Sequence, residues 1–331
     1  MFLAYASQVT RIPQYADMAR AGLKSLLATN GGPVWIPNGS CGSLDGIGGT
    51  VYSLTHVSAL LEDEPLLDVV ETCLREAEGL VSPNMEVDVF GGAAGCVLAA
   101  LASHAFTGSD TALRVARLYG DVVRNALMGQ GWSSDAEIAR LIAGGFAHGP
   151  LGLLYALHQL GRKLGGSYAE AAAMVVDDLC GIPTERLEIM LSDLPASWCR
   201  GSSGCITALM RILPYPLGSW LSVHALVTAR SEKELVASDC LCHGEMGNIE
   251  PLLEARRWFS GERWTEAVSI QGSQLLQRAA TNGWTCGGRA ENPGLMVGLG
   301  GIGLQLLRMD RPDQVPSVLL LDPPPGVEEI P

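Results

Sequence analysis

Cys199 sits in the run S-W-C-R-G, and forty-three residues later Cys242 and His243 stand side by side in L-C-H-G. Two thiolates and one imidazole make a three-ligand tetrahedral set with its fourth position open, the arrangement of catalytic rather than structural zinc. Zn²⁺ with two thiolates and a neutral histidine carries no net charge, and an incoming thiol bound as thiolate takes the site to minus one. A free cysteine titrates near about 8.5 and is mostly protonated at neutral pH; coordination removes that proton. Two thiolate ligands already donate electron density, so the third sulfur stays nucleophilic. The set therefore suits sulfur alkylation.

Cys240, two residues before Cys242, competes with it as a ligand. The long gap from Cys199 rules out a zinc-finger spacing. Cys41, Cys73, Cys96, Cys180, Cys205 and Cys286 read as buried small residues, with Cys286 set apart by its context G-W-T-C-G-G. Nine cysteines, an odd count without a dense framework, fit reduced thiols in a cytoplasm.

His148, in G-F-A-H-G, occupies the place before a glycine that Arg200 and His243 occupy in their own motifs. Adding a thiolate to an α,β-unsaturated amide puts charge on the carbonyl oxygen and then needs a proton at the α carbon. A histidinium supplies both a hydrogen bond and that proton. His148 is accordingly the catalytic candidate, with Asp88 holding or charging it; Asp88 as a plain helix-start acid is the bland alternative. Arg200 either stabilises the enolate or pairs with an acid such as Asp193. Trp198 reads as a wall of the site.

These motifs belong to a six-fold internal repeat. Glycine-rich turns occur in LDGIGGTVYSL, DVFGGAAGCVLAAL, GFAHGPLGLLYAL, SWCRGSSGCITAL, LCHGEMGNIEPLLEA and LMVGLGGIGLQLL. Each carries G-x-x-G, and successive copies lie 43 to 57 residues apart. An apolar helical pattern follows every turn, and polar amphipathic segments lie between them at 13–27, 65–79, 110–128, 167–180, 219–228 and 262–279. One inner and one outer helix per repeat, about twelve in all, predict an all-α toroid of two concentric rings. Glycine at each inner-helix start permits positive φ and close backbone approach. It also aims helix N–H groups at the central cavity. Strand patterning is weak, confined to the neighbourhood of Val34 and to 318–321.

Composition narrows the function. The 331 residues are 47% hydrophobic with a net charge of −13, which excludes a polyanionic partner such as nucleic acid. Residues 141–161 carry no charge, counting histidine as neutral, yet glycines and Pro150 interrupt them, so they read as a buried helix start rather than a membrane span.

The three motifs GFAHGPLG, SWCRG and LCHG together resemble those of LanC-type lanthipeptide cyclases, and the resemblance runs from about Phe2 to the C-terminus. It implies an α,α-toroid with one zinc held by Cys199, Cys242 and His243, and an acid/base pair at His148 and Asp88. The implied reaction closes lanthionine or methyllanthionine rings by adding peptide cysteines to dehydroalanine or dehydrobutyrine. The ending PGLMVGLGGIGLQLLRM followed by PSVLLLDPP is similar to the cyclase half of class II synthetases, LanM. On that likeness residues 1–331 are one cyclase domain without a dehydratase, acting on a dehydrated precursor with its leader that another domain or protein supplies. Stand-alone members place an arginine four residues before the first zinc cysteine, where Pro195 stands, and often an aromatic or histidine where Arg200 stands. The enolate-stabilising role therefore does not carry over by motif.

Rival readings differ in what they require. A toroid glycosidase or terpene cyclase needs paired acids, for which Asp88 and Glu245 are the most obvious pair within the motifs. A LanC-like enzyme adding glutathione to dehydrated residues uses the same zinc chemistry. A non-catalytic peptide-binding toroid needs no proton donor, so loss of His148 separates it from an enzyme.

Overall fold

The computed structural model describes residues 1–29, 40–214, 237–259, 261–288 and 290–327. Among them every regular element is a helix. In chain order these are α1 (Phe2–Thr10), α2 (Pro13–Thr29), α3 (Ile47–Leu61), α4 (Pro65–Glu78), α5 (Ala93–Thr107), α6 (Asp110–Met128), α7 (Asp135–Ala143) and α8 (Gly145–His148). They continue with α9 (Pro150–Leu164), α10 (Gly166–Cys180), α11 (Thr184–Ser192), α12 (Ser202–Ile212), α13 (Glu245–Asn248), α14 (Glu250–Trp258), α15 (Glu262–Asn282) and α16 (Leu299–Asp310). They pack as two compact units, one of Met1–Gln130, Ala156–Ala172 and Asp313–Pro331, the other of Gly131–Tyr155 and Ala173–Pro312.

Hydrophobic periodicity decides which helices are inner and which outer. From Ala93 to Ser103 every residue of α5 is buried, as its unbroken Ala, Leu and Val content demands. Its neighbour α6 buries only a stripe: Thr111, Ala112, Val115, Ala116, Tyr119, Gly120, Val123 and Leu127, at helical spacing. Each such buried aliphatic side chain contributes roughly 1.5–3 kcal/mol. The Ser109 side chain accepts the Ala112 N–H and caps α6.

Four outer segments fall within a few residues of the expected bounds, and the one at 110–128 coincides with α6. The segment at 219–228 lies outside the described residues. Two helices per repeat is too simple a count, because α1, α7, α8 and α11 are additional. Ser134 and Glu137 form a capping box at the start of α7, and Pro183 ends the preceding stretch ahead of α11. After the fifth turn the inner helix breaks at Ile249 into α13 and α14, and Pro251, at the head of α14, accounts for the break. The weak strand pattern at 318–321 is a turn, and Val34 is outside the described residues. The uncharged stretch 141–161 is divided among α7, α8 and α9. Among the described residues no helix is long and apolar enough to cross a membrane.

In the first unit His56 on α3 is fully buried. A carbonyl only accepts, so the 3.1 Å contact to the Asp322 carbonyl puts the proton on Nε2. Nδ1 then accepts the Tyr5 hydroxyl at 2.6 Å. This neutral tautomer ties α1 and the 313–327 segment to α3. Burial lowers the His56 pKa from 6.5 to about 3, against the raising effect of the Asp322 carbonyl. The unfolded chain takes up a proton near 6.5 that the folded chain refuses, so this stability is complete above pH 6.5 and declines as pH falls toward 3. Urea unfolding should lose about 1.4 kcal/mol per pH unit across that window from this group. A His56→Gln variant should show a correspondingly shallower slope; an unchanged slope would contradict the assignment.

Candidate metal centre

Five of the six repeat turns place a glycine as N-cap of the following helix, and of the two expected reasons for it the structure keeps close approach and not positive φ. Gly46, Gly92, Gly201, Gly244 and Gly298 have extended backbone with φ between −116° and −133°, which any residue adopts. Space is what excludes a side chain: a Cβ on Gly201 would meet the Pro195 carbonyl, and one on Gly244 would meet the backbone of Cys240 and Ser238. Positive φ falls instead at Gly145, which opens α8 at φ 72° with its backbone against that of Arg200.

Close approach lets neighbouring turns share hydrogen bonds at one equivalent position, two residues before the cap glycine. In the first unit Leu44 donates its N–H to the Phe90 carbonyl at 3.2 Å. In the second, Ala147 donates to Cys199 at 2.9 Å, Cys199 to Cys242 at 3.1 Å, and Cys242 to Met296 at 2.9 Å. These backbone bonds pin the third, fourth, fifth and sixth turns in register. Cys199 and Cys242 therefore occupy identical places on adjacent turns, which is why residues so distant in sequence meet.

The donor atoms of Cys199, Cys242 and His243 all lie within 4.8 Å of one another. Cys240 is fully buried and outside this cluster. Cys199 keeps 9% exposure, Cys242 is half-buried and His243 exposed, so the cluster opens to solvent on one side. The Cys199 thiol is pulled down to about 6 by its hydrogen bond with Cys242, against burial, and further by the Ser197 hydroxyl, the Arg200 N–H and the charge of His243. Cys242 is pushed up by the same shared hydrogen bond, by burial and by the neighbouring sulfurs. Only one of these thiols ionises readily without a cation beside it.

His148 ends α8 and is half-buried one residue beyond the Ala147–Cys199 hydrogen bond. Arg200 is exposed and makes no ion pair with Asp193 among the described residues. Asp88 belongs to the first unit, where its carboxylate accepts the Gly91 N–H at 2.8 Å, the role of a helix-start acid. Glu245 is buried at the start of α13. Trp198 is 1% exposed and packs against Phe146 at 5.7 Å between ring centroids, so it supports the turns from behind. Among the other cysteines, Cys41, Cys73, Cys96, Cys205 and Cys286 are buried as expected; Cys180, at the end of α10, is exposed, because a helix terminus has no further turn to cover it.

The motifs gave no sign of the segment leading to Gly287, which lies against Cys240 and the His243 ring. The tandem glycines of G-W-T-C-G-G are the signal that could have found it.

Helices introduced by glycine-rich turns, two of which present thiols and an imidazole, define an all-helical protein with a candidate metal centre. The Lanthionine synthetase C-like protein family model matches residues 1–320, and the chain belongs to that family. Among solved structures it is similar to a nisin cyclase at 18% identity, with a TM-score of 0.64 over 97% of this chain and 89% of that one. That likeness shows the fold, and the all-α toroid expected from the repeats is that fold. No curated protein matches the sequence.

Proposed function

We propose that this chain closes thioether rings in peptides, joining a cysteine sulfur to the β carbon of a dehydroalanine or dehydrobutyrine residue. The observation that carries the reading is the convergence of Cys199, Cys242 and His243 on adjacent turns in a member of this family. Two thiols sharing a hydrogen bond beside an imidazole fit a thiophilic dication, which offsets the charge that keeps both from ionising together. We assign it as zinc. When bound, zinc makes an incoming thiol available as thiolate at neutral pH.

The remaining chemistry falls to side chains. The thiol gives up its proton, one C–S bond forms as the C=C π bond opens, negative charge passes to the amide oxygen, and a proton is delivered to the α carbon, so the net change is an isomerisation. His148 gives that proton, and Arg200, exposed beside Cys199, stabilises the enolate oxygen; Asp88 is the third catalytic candidate. The substrate is a dehydrated precursor peptide with its leader. Dehydration is elimination, a separate chemistry, so a dehydratase domain or protein must precede this step. Thiol ligands, which work only when reduced, support a cytoplasmic location.

Ring closure leaves peptide mass unchanged but consumes a thiol, so a thiol-alkylating reagent reports it directly. Wild-type protein should protect a dehydrated, cysteine-containing peptide from alkylation. His148→Ala should slow this by roughly 10²–10⁴-fold while keeping its metal, the range for loss of a general acid. Equal rates in the two proteins would overturn the role of His148. A glutathione adduct in place of a ring would reassign the substrate.

A further inference from the structure

The His243 ring is backed by a segment that the zinc reading does not use. Asp239, three residues before Cys242, is 1% exposed, and both its carboxylate oxygens are engaged. One pairs with Arg278 on α15; the other accepts the Thr285 N–H at 2.8 Å. The Asp239 N–H in turn donates to the Thr285 carbonyl at 2.7 Å. This two-way pairing fixes Thr285 relative to the start of the fifth turn. Two residues on, the Gly287 N–H donates to the Val297 carbonyl in the sixth turn at 2.8 Å. Gly287 is thereby held between the two turns.

A Cβ on Gly287 would lie 2.8 Å from Cys240 Sγ and 3.0 Å from both Nε2 and Cε1 of His243. Cys240 is fully buried whereas His243 is exposed, so the imidazole is the freer of the two to move. The next residue, Gly288, has nothing within 4 Å of the same position. The two adjacent glycines therefore differ in what they permit.

We propose that Gly287, held by the Asp239–Arg278–Thr285 clamp, is a positioning residue that sets the orientation of the metal ligand His243. Partners behind a ligating histidine typically govern 10- to 100-fold in metal affinity. The inference rests on the assignment of the metal centre above. Gly287 fixes the ring by shape, whereas Asp239 fixes Gly287 by charge and hydrogen bonding. Loss of either should therefore loosen the same ligand.

Cobalt(II) substitution tests this, because its visible absorption reports ligand geometry, together with zinc affinity from competition with a chromophoric chelator. Gly287→Ala should weaken zinc by 10-fold or more and alter the cobalt spectrum, with Gly288→Ala matching wild type in both. Asp239→Asn, whose released Arg278 is partly solvated, should shift the spectrum in the same direction with unchanged helical circular dichroism, and it decides the matter if Gly287→Ala does not fold. Wild-type-like affinity and spectrum in Gly287→Ala, or in Asp239→Asn, would overturn the positioning role while leaving the metal centre intact. A wild-type chain that binds neither zinc nor cobalt would remove the metal centre itself.

Discussion

Purified Cys242→Ala should contain less than a tenth of the zinc of the wild-type chain, which should carry one ion, and should form no thioether above background. The size of the loss follows from the ligand count. Structural zinc sites bind with roughly 10–16 kcal/mol shared over four ligands, so one thiolate is worth about 2.5–4 kcal/mol, roughly 10²- to 10³-fold in affinity. Cys242 also shares a hydrogen bond with Cys199, which lowers the pKa of that thiol to about 6. Its removal returns the remaining thiol toward the protonated form and weakens the second ligand as well. Cys240, only two residues away, offers no rescue, because it is buried outside the cluster. Cys240→Ala should therefore keep its zinc. Elemental analysis of the three proteins decides the point: zinc retained in Cys242→Ala, or lost in Cys240→Ala, would mean that the ligand set is wrong.

That choice between Cys240 and Cys242 shows what the sequence could and could not settle. Repeat alignment placed Cys199 and Cys242 at the same offset from the cap glycine, and the turn-to-turn backbone bonds use that same offset. A periodic signal read from spacing was thus converted directly into proximity. Helix bounds such as those of α6 were legible for a similar reason, since an amphipathic stripe and an N-cap serine are local properties. The clamp formed by Asp239, Arg278 and Thr285 was not legible. It joins residues 39 and 46 positions apart that follow no repeat offset, and an acid before a turn looks like any solvated carboxylate. The glycines left two reasons open, positive φ and close backbone approach, and collision with backbone alone is the reason at most of the turns.

Arg308→Met should destabilise the chain by roughly 3–5 kcal/mol, the usual cost of removing one partner from a buried charge network. Arg308 lies on α16 with its side chain 2% exposed and reaches Glu250 at 3.1 Å and Glu254 at 2.6 Å, both on α14. Gln305 donates to Glu250 at 2.7 Å, and Arg211 on α12 donates to Glu254 at 2.7 Å. Burial alone would raise the Glu254 carboxyl, but Arg211 and then Arg308 outweigh it and hold the pKa at about 2. This stabilisation is therefore complete above about 4.5 and is lost as pH falls toward 2. The three helices joined here are those that follow the fourth, fifth and sixth turns. The network thus joins the helices that follow the two turns bearing Cys199, Cys242 and His243 to the helix that follows the sixth. An apolar core of equal volume would hold the helices together about as strongly, but a shift in register would here also leave buried charges unpaired. Glu254→Gln and Arg308→Met should accordingly be non-additive by at least about 0.5 kcal/mol in a double-mutant cycle. Saturating zinc should restore part of the lost stability by favouring the folded state. Additive effects would reduce the network to independent pairs, and a cost for Arg308→Met below about 1 kcal/mol would show that the helices are held by their apolar faces alone.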